Sequence, residues 1–70
     1  MDGVRCNLRR LMYERNIDTI ADVMRLTGAN RVALTRMYKN EMLDRVEVRT
    51  YIKVCQAMGC SLAEILEFPA

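Results

Sequence analysis

Apolar positions recur along this chain at three- and four-residue steps, which is the period of helices with one buried face. Val4, Leu8, Leu11 and Met12 share such a face and predict a first helix over residues 4–15. The stem of Arg15 extends the face, Arg5, Arg9 and Arg10 fall largely outside it, and Asn16 ends it. Ile17 anchors the connection, and Asp18 or Thr19 caps the next helix. Thr19-Ile20-Ala21-Asp22 follows a Thr-x-x-Asp capping pattern with an acid placed well for the helix dipole. Ile20, Val23, Met24 and Thr27 carry the second helix to Gly28, where a helix end calls for a residue comfortable at positive φ. Asn30 caps a third helix whose inner face holds Leu34, Met37 and Tyr38, with Ala33 as a small neighbour. Two short helices joined by a turn of about three residues make a helix-turn-helix.

Downstream, Glu41–Glu47 is mixed in charge and poorly periodic, so it reads as a loop. Its Met42 and Leu43 either tuck into the core or face a partner. The period returns at Val48, Tyr51, Ile52, Val54, Cys55 and Met58, a fourth helix with a broad buried face ending at Gly59. Ser61-Leu62-Ala63-Glu64 is a capping box for a short fifth helix with Leu62, Ile65 and Leu66 inward. Pro69 discourages any further helix.

The residues from 20 to 39 resemble the helix-turn-helix of the phage repressor and Cro family. That pattern runs Leu-Ala-x-x-Thr-Gly, an apolar residue, a small polar cap, a variable first turn, then Leu-x-x-Leu-Tyr. In this chain Val23, Met24, Thr27, Gly28, Ala29 and Asn30 are followed by Leu34, Met37 and Tyr38, with Met24 where the family usually carries Ala. The likeness continues through Val46-Glu47-Val48 and from Cys55 to Leu62, nearly the whole chain. It implies an all-α, compact five-helix, lambda repressor-like fold, with residues 1–70 forming a single domain.

Such a fold places the first turns of the third helix against base edges in the DNA major groove. The corresponding positions here are Arg31, Val32, Thr35 and Arg36, all off the core face. Arg31 and Arg36 can each present a planar fork to guanine. Val32 and Thr35 can meet a thymine methyl, and Thr35 can also hydrogen-bond. The candidates for phosphate contact are Thr19, Asn30, Lys39, Asn40 and Arg45. Arg45 equally suits an adjacent minor groove or a solvated loop. Where the family usually has a polar phosphate contact, Ile20 leaves only backbone N–H groups, with help from Thr19.

The composition narrows these readings. Seventy residues bury only roughly 60% of the surface the unfolded chain exposes, enough for one core. The formal charge is +2 with 51% hydrophobic residues, but the charge is unevenly spread. Residues 1–39 carry eight Arg/Lys and four Asp/Glu, whereas residues 57–70 carry two Glu and no Arg or Lys. The basic end suits a polyanion or is a solvated surface. Three Cys without a paired Cys-x-x-Cys, and no His, argue for free thiols in a reducing compartment and against a zinc site. Cys55 falls on the apolar helical face and is expected in the core, and Cys60 lies beside a turn, partly exposed. Tyr38 is expected at the core's edge with its hydroxyl exposed.

With no His, no Gly-rich phosphate loop and no clustered acids, neither catalysis nor a cofactor is expected, and no small-molecule ligand. The N-terminus has no long apolar run, so neither a secretion signal nor a membrane span is expected, and the location is cytoplasmic. The expected function is a sequence-specific double-stranded DNA-binding transcriptional regulator, repressor or activator, acting as a homodimer on a near-palindromic operator. The dimer contacts would come from the domain itself, through the Glu41–Glu47 loop and the terminal helix with Phe68. The alternative is a protein-interaction module on the same fold, such as an antitoxin.

Overall fold

A computed structural model of the chain describes residues 3–68. In order, the elements are β1 (Arg5–Cys6), α1 (Leu8–Glu14), α2 (Ile20–Thr27), α3 (Arg31–Lys39), α4 (Val48–Met58), α5 (Leu62–Ile65) and β2 (Leu66–Glu67), with a short 3-10 turn at Leu43–Arg45. The fold is all-helical apart from β1 and β2, which form one small antiparallel ladder pairing Arg5 with Glu67 and Cys6 with Leu66.

That ladder corrects the first predicted helix, which starts at Leu8 rather than residue 4. Residues 5 and 6 gain more by pairing with the chain's other end than by extending the helix. Asn7 seals the exchange. It is buried, its backbone N–H donates to the Ile65 carbonyl at 2.8 Å, and its Nδ2 donates to the Glu64 carbonyl at 3.1 Å and to Glu67 Oε1 at 3.0 Å. At the far end of α1, Asn16 turns the chain at φ 55°, a conformation its short polar side chain tolerates. Arg15 Nε donates to the Met58 carbonyl at 2.7 Å and so ties α1 to the end of α4.

The caps expected from sequence are in place. Thr19 Oγ1 accepts from the Asp22 N–H at 3.1 Å, Asn30 Oδ1 accepts from the Ala33 N–H at 2.8 Å, and Ser61 and Glu64 form a reciprocal capping box. Each such cap stabilises its helix by about 1 kcal/mol. Gly28 ends α2 at φ 75°, where a side chain would be strained whatever the free space. Thr27 completes that turn from inside, its hydroxyl donating to the Val23 carbonyl at 2.8 Å and accepting from the Ala29 N–H at 3.1 Å.

The core gathers Leu8, Leu11, Val23, Leu34, Met37, Val54 and Ile65, all essentially fully buried, and Met24, Ile17 and Tyr38 pack at its edge. Fully burying a side chain of this size stabilises the fold by roughly 1.5–3 kcal/mol. The predicted inner faces of the last two helices were too broad. In α4, Tyr51, Val54, Cys55 and Met58 are buried, but Val48 and Ile52 are exposed. In α5, Ile65 is buried and Leu62 is exposed, while Leu66 falls in β2 and is half-buried. The 41–47 segment is a loop broken by the 3-10 turn, and it sends Leu43 and Val46 into the core. Leu43 therefore cannot face a partner, whereas Met42 is exposed. Phe68 follows β2, in the tail expected after the last helix. The expectation for Pro69 falls outside the described residues.

Candidate nucleic-acid interface

The helix α3 is held at both ends and along one face, and this determines what it can present. Asn30 caps its start. Asn40 ends it in the left-handed region at φ 57°, and its side-chain amide clasps the backbone of Cys6, accepting from the Cys6 N–H and donating to the Cys6 carbonyl at 3.1 Å. Ala33, Leu34 and Met37 anchor the inner face. With three restraints in place, the opposite face has a set direction.

That opposite face carries the four residues proposed to read bases. Arg31 and Val32 are exposed, and Thr35 and Arg36 are half-buried one turn later. Lys39 is exposed at the end of the same face. Two hollows flank it. One, of about 330 Å³, lies between Asn30, Arg31 and Arg36 on one side and Arg45, Glu47 and Thr50 on the other. The second, of about 360 Å³, runs along Arg31, Val32, Thr35 and Lys39 to Glu41 and Met42. The structure thus brings Arg45 and Asn30 alongside residues expected to read bases.

The phosphate candidates are not equivalent. The Thr19 hydroxyl is occupied twice by Asp22, accepting from its N–H and donating to Oδ2 at 2.9 Å. That bond, followed by the Arg25 contact, holds the exposed Asp22 carboxyl below its ordinary range. Asn40 spends its carbonyl oxygen and one amide hydrogen on Cys6. Lys39 and Arg45 are exposed and uncommitted.

Four of the cations without a carboxylate partner among the described residues gather at this face, while Arg5, Arg9 and Lys53 are scattered elsewhere. Arg10, Arg15, Arg25 and Arg49 each face a carboxylate, at Glu67, Glu14, Asp22 and Glu47 respectively. Arg31, Arg36, Lys39 and Arg45 have no carboxylate partner among the described residues. Arg9 sits over the ring of Tyr38, 5.2 Å from its centre, so this aromatic is a cation platform at the core's edge. Four uncompensated cations around one exposed helix form an anion-attracting surface whose side chains keep their donors available.

Thr50, Glu47, Glu41 and Met42 were not assigned to this surface from sequence. Thr50 lies in the first turn of α4, off that helix's core face, which is the signal that could have placed it. Among the described residues there is no group of three or more residues able to hold a metal ion, and no helix is long and apolar enough to cross a membrane.

The chain matches the Cro/C1-type HTH DNA-binding domain over residues 7–70. No curated protein and no solved structure is significantly similar to it.

Proposed function

This chain belongs to the Cro/C1-type HTH DNA-binding domain family, and from that premise we propose that it is a sequence-specific regulator of transcription. Residues 1–70 act as one domain in the cytoplasm, on double-stranded DNA. The α3 helix enters the major groove. Arg31 and Arg36 donate to guanine N7 and O6, while Val32 and Thr35 meet thymine methyls. Lys39 and Arg45 contact the phosphates, joined by the N-terminal turns of α2 and α3 at Thr19 and Asn30 and by the remaining amide hydrogen of Asn40. Two copies bind a near-palindromic operator, and occupying a promoter excludes polymerase. No catalytic step and no cofactor enter this mechanism.

The observation that carries this reading is the outward α3 face, where Arg31, Arg36 and Lys39 gather beside Arg45 of the 3-10 turn without a carboxylate partner among the described residues. Their clustering around one helix, rather than the lack of partners alone, marks the surface, since Arg5, Arg9 and Lys53 also lack carboxylate partners among the described residues. The test is selection of bound sequences from a random duplex pool. The expected result is a short, two-fold symmetric consensus containing guanine. Recovery of unenriched sequences would overturn the reading.

A second reading, a protein-binding module, draws on one feature. Leu62, Ala63, Leu66 and Phe68 line a mainly apolar hollow of about 640 Å³. We assign this hollow to the second copy in the operator complex. A protein partner that binds equally well when Arg31 and Arg36 are replaced, with no DNA in the complex, would favour the second reading.

A further inference from the structure

Met42 has an unusual backbone for its residue type. It sits in the left-handed region at φ 50°, ψ 44°, where an unbranched apolar side chain gains nothing locally, unlike Asn16 and Asn40. The conformation sends consecutive side chains in different directions, Leu43 into the core and Met42 outward, 53% exposed. The loop is pinned on both sides of it. The Glu41 N–H donates to the Arg36 carbonyl at 3.0 Å, the Arg45 N–H donates to the Met42 carbonyl at 3.0 Å, and the buried Tyr51 hydroxyl donates to the Leu43 carbonyl at 2.9 Å. An exposed methionine is thus held in place by a strained backbone, and strain of this kind persists where the surroundings enforce it.

What it is held against narrows its role. Met42 lines the same hollow as Val32 and Thr35, so three sources of apolar carbon face one space. Arg31, Arg36 and Lys39 rim that space with positive charge, against the single acid Glu41. An apolar strip inside a cationic rim fits a polyanion that carries apolar groups at fixed positions. In the major groove the pyrimidine 5-methyl of thymine is that group. A flexible, polarisable thioether suits a contact of this sort at the edge of a helix.

We propose that Met42 reads a thymine methyl beside the bases met by Val32 and Thr35, and so determines specificity from outside the helix-turn-helix. The inference rests on the DNA-reading role assigned above to α3. Its test changes the DNA before the protein. In a selected operator, each thymine is replaced in turn by uracil, which removes only the methyl. The wild-type protein loses about fourfold in affinity at one thymine per half-site, the change expected for one buried methyl. Met42→Ala loses a similar factor on the thymine operator and is indifferent to uracil at that position, while Met42→Leu keeps the discrimination. Full uracil sensitivity in Met42→Ala, or no sensitive thymine beyond those that respond to Val32→Ala or Thr35→Ala, overturns the assignment of Met42 and leaves the α3 reading intact. A wild-type protein that selects no operator overturns both.

Discussion

Arg31 and Lys39 stand at opposite ends of one exposed helix face, yet their removal is expected to have different consequences. A guanidinium donating two bonds to one guanine discriminates among bases, whereas an ammonium near a phosphate does not. Arg31→Ala or Arg36→Ala should therefore cost about 1–3 kcal/mol and relax the preference at one guanine. Lys39→Ala should weaken all sequences evenly. Titration of each variant against single-base operator changes checks this, and identical profiles for Arg31 and Lys39 variants would refute the division of roles. The buried residues predict a pH response. Burial pushes the Cys6 thiol up from 9.0 to about 11. Burial and the neighbouring Cys60 push Cys55 up to about 12. Both groups hold their protons more tightly in the folded chain. Their effect on stability is neutral below about pH 9, and stability falls as pH rises from there toward 11–12, because the unfolded thiols ionise first. Tyr51, raised by burial from 10.0 to about 12, adds to the same alkaline loss. Urea midpoints at pH 7, 9 and 10.5 should show it, and a midpoint that rises above pH 9 would contradict it. The same burial predicts that iodoacetamide alkylates the half-exposed Cys60 before Cys6 or Cys55.

Among the elements, the β1–β2 ladder is braced by Asn7 as well as by its own two residue pairs. Asn7→Ala would leave the Glu64 carbonyl without its side-chain donor and should cost about 1–3 kcal/mol, measured as a lowered urea midpoint. A loss below a few tenths would show the ladder to be independent of it. Met42→Gly should do the reverse. It relieves the left-handed strain at an exposed position and should raise stability by about 0.5–1 kcal/mol after the greater entropy of the unfolded glycine. These two sites also mark where the sequence could and could not be read. Thr19, Asn30 and Ser61 declare helix starts because a cap acts over three residues, and Gly28 and Gly59 declare ends for the same local reason. The ladder joins Arg5 to Glu67 across the whole chain, and Val4 and Leu8 happen to keep helical spacing, so the local pattern points the wrong way. Val48, Ile52 and Leu62 lie on apolar helical positions that no neighbouring element covers, which periodicity does not report. The outward face of α3 was legible because a residue off the core stripe of a short capped helix has nowhere else to point. Met42 was not, because the split between it and Leu43 depends on a backbone state that its residue type disfavours.

At the scale of the molecule, size and surface together decide how many copies a site takes. A single α3 of nine residues spans only a few base pairs, too little to select one site among about a million or more competitors. Two copies related by a two-fold axis would place their α3 helices in successive major grooves about 34 Å apart. The longest dimension of the domain is 31 Å, slightly short of that spacing, so any contact between neighbours on one face of the duplex falls to side chains at their facing ends. The surface proposed above for this contact is the apolar hollow at Leu62, Leu66 and Phe68. The contact must be small. A standard interface takes about 800 Å² from each partner, a large share of the 4727 Å² this domain exposes. We therefore expect a monomer or weak dimer in solution and two copies on the operator. The salt response follows from the same geometry. Each neutralised phosphate adds roughly 0.9 to the slope of log affinity against log salt, so the full site should show about twice the slope of an isolated half-site. Sedimentation with a selected operator should give two protein chains per duplex. Phe68→Asp should leave half-site affinity unchanged and abolish cooperative filling of the full site. A saturated complex of one chain on the full operator, with the half-site slope, would rule out the dimer.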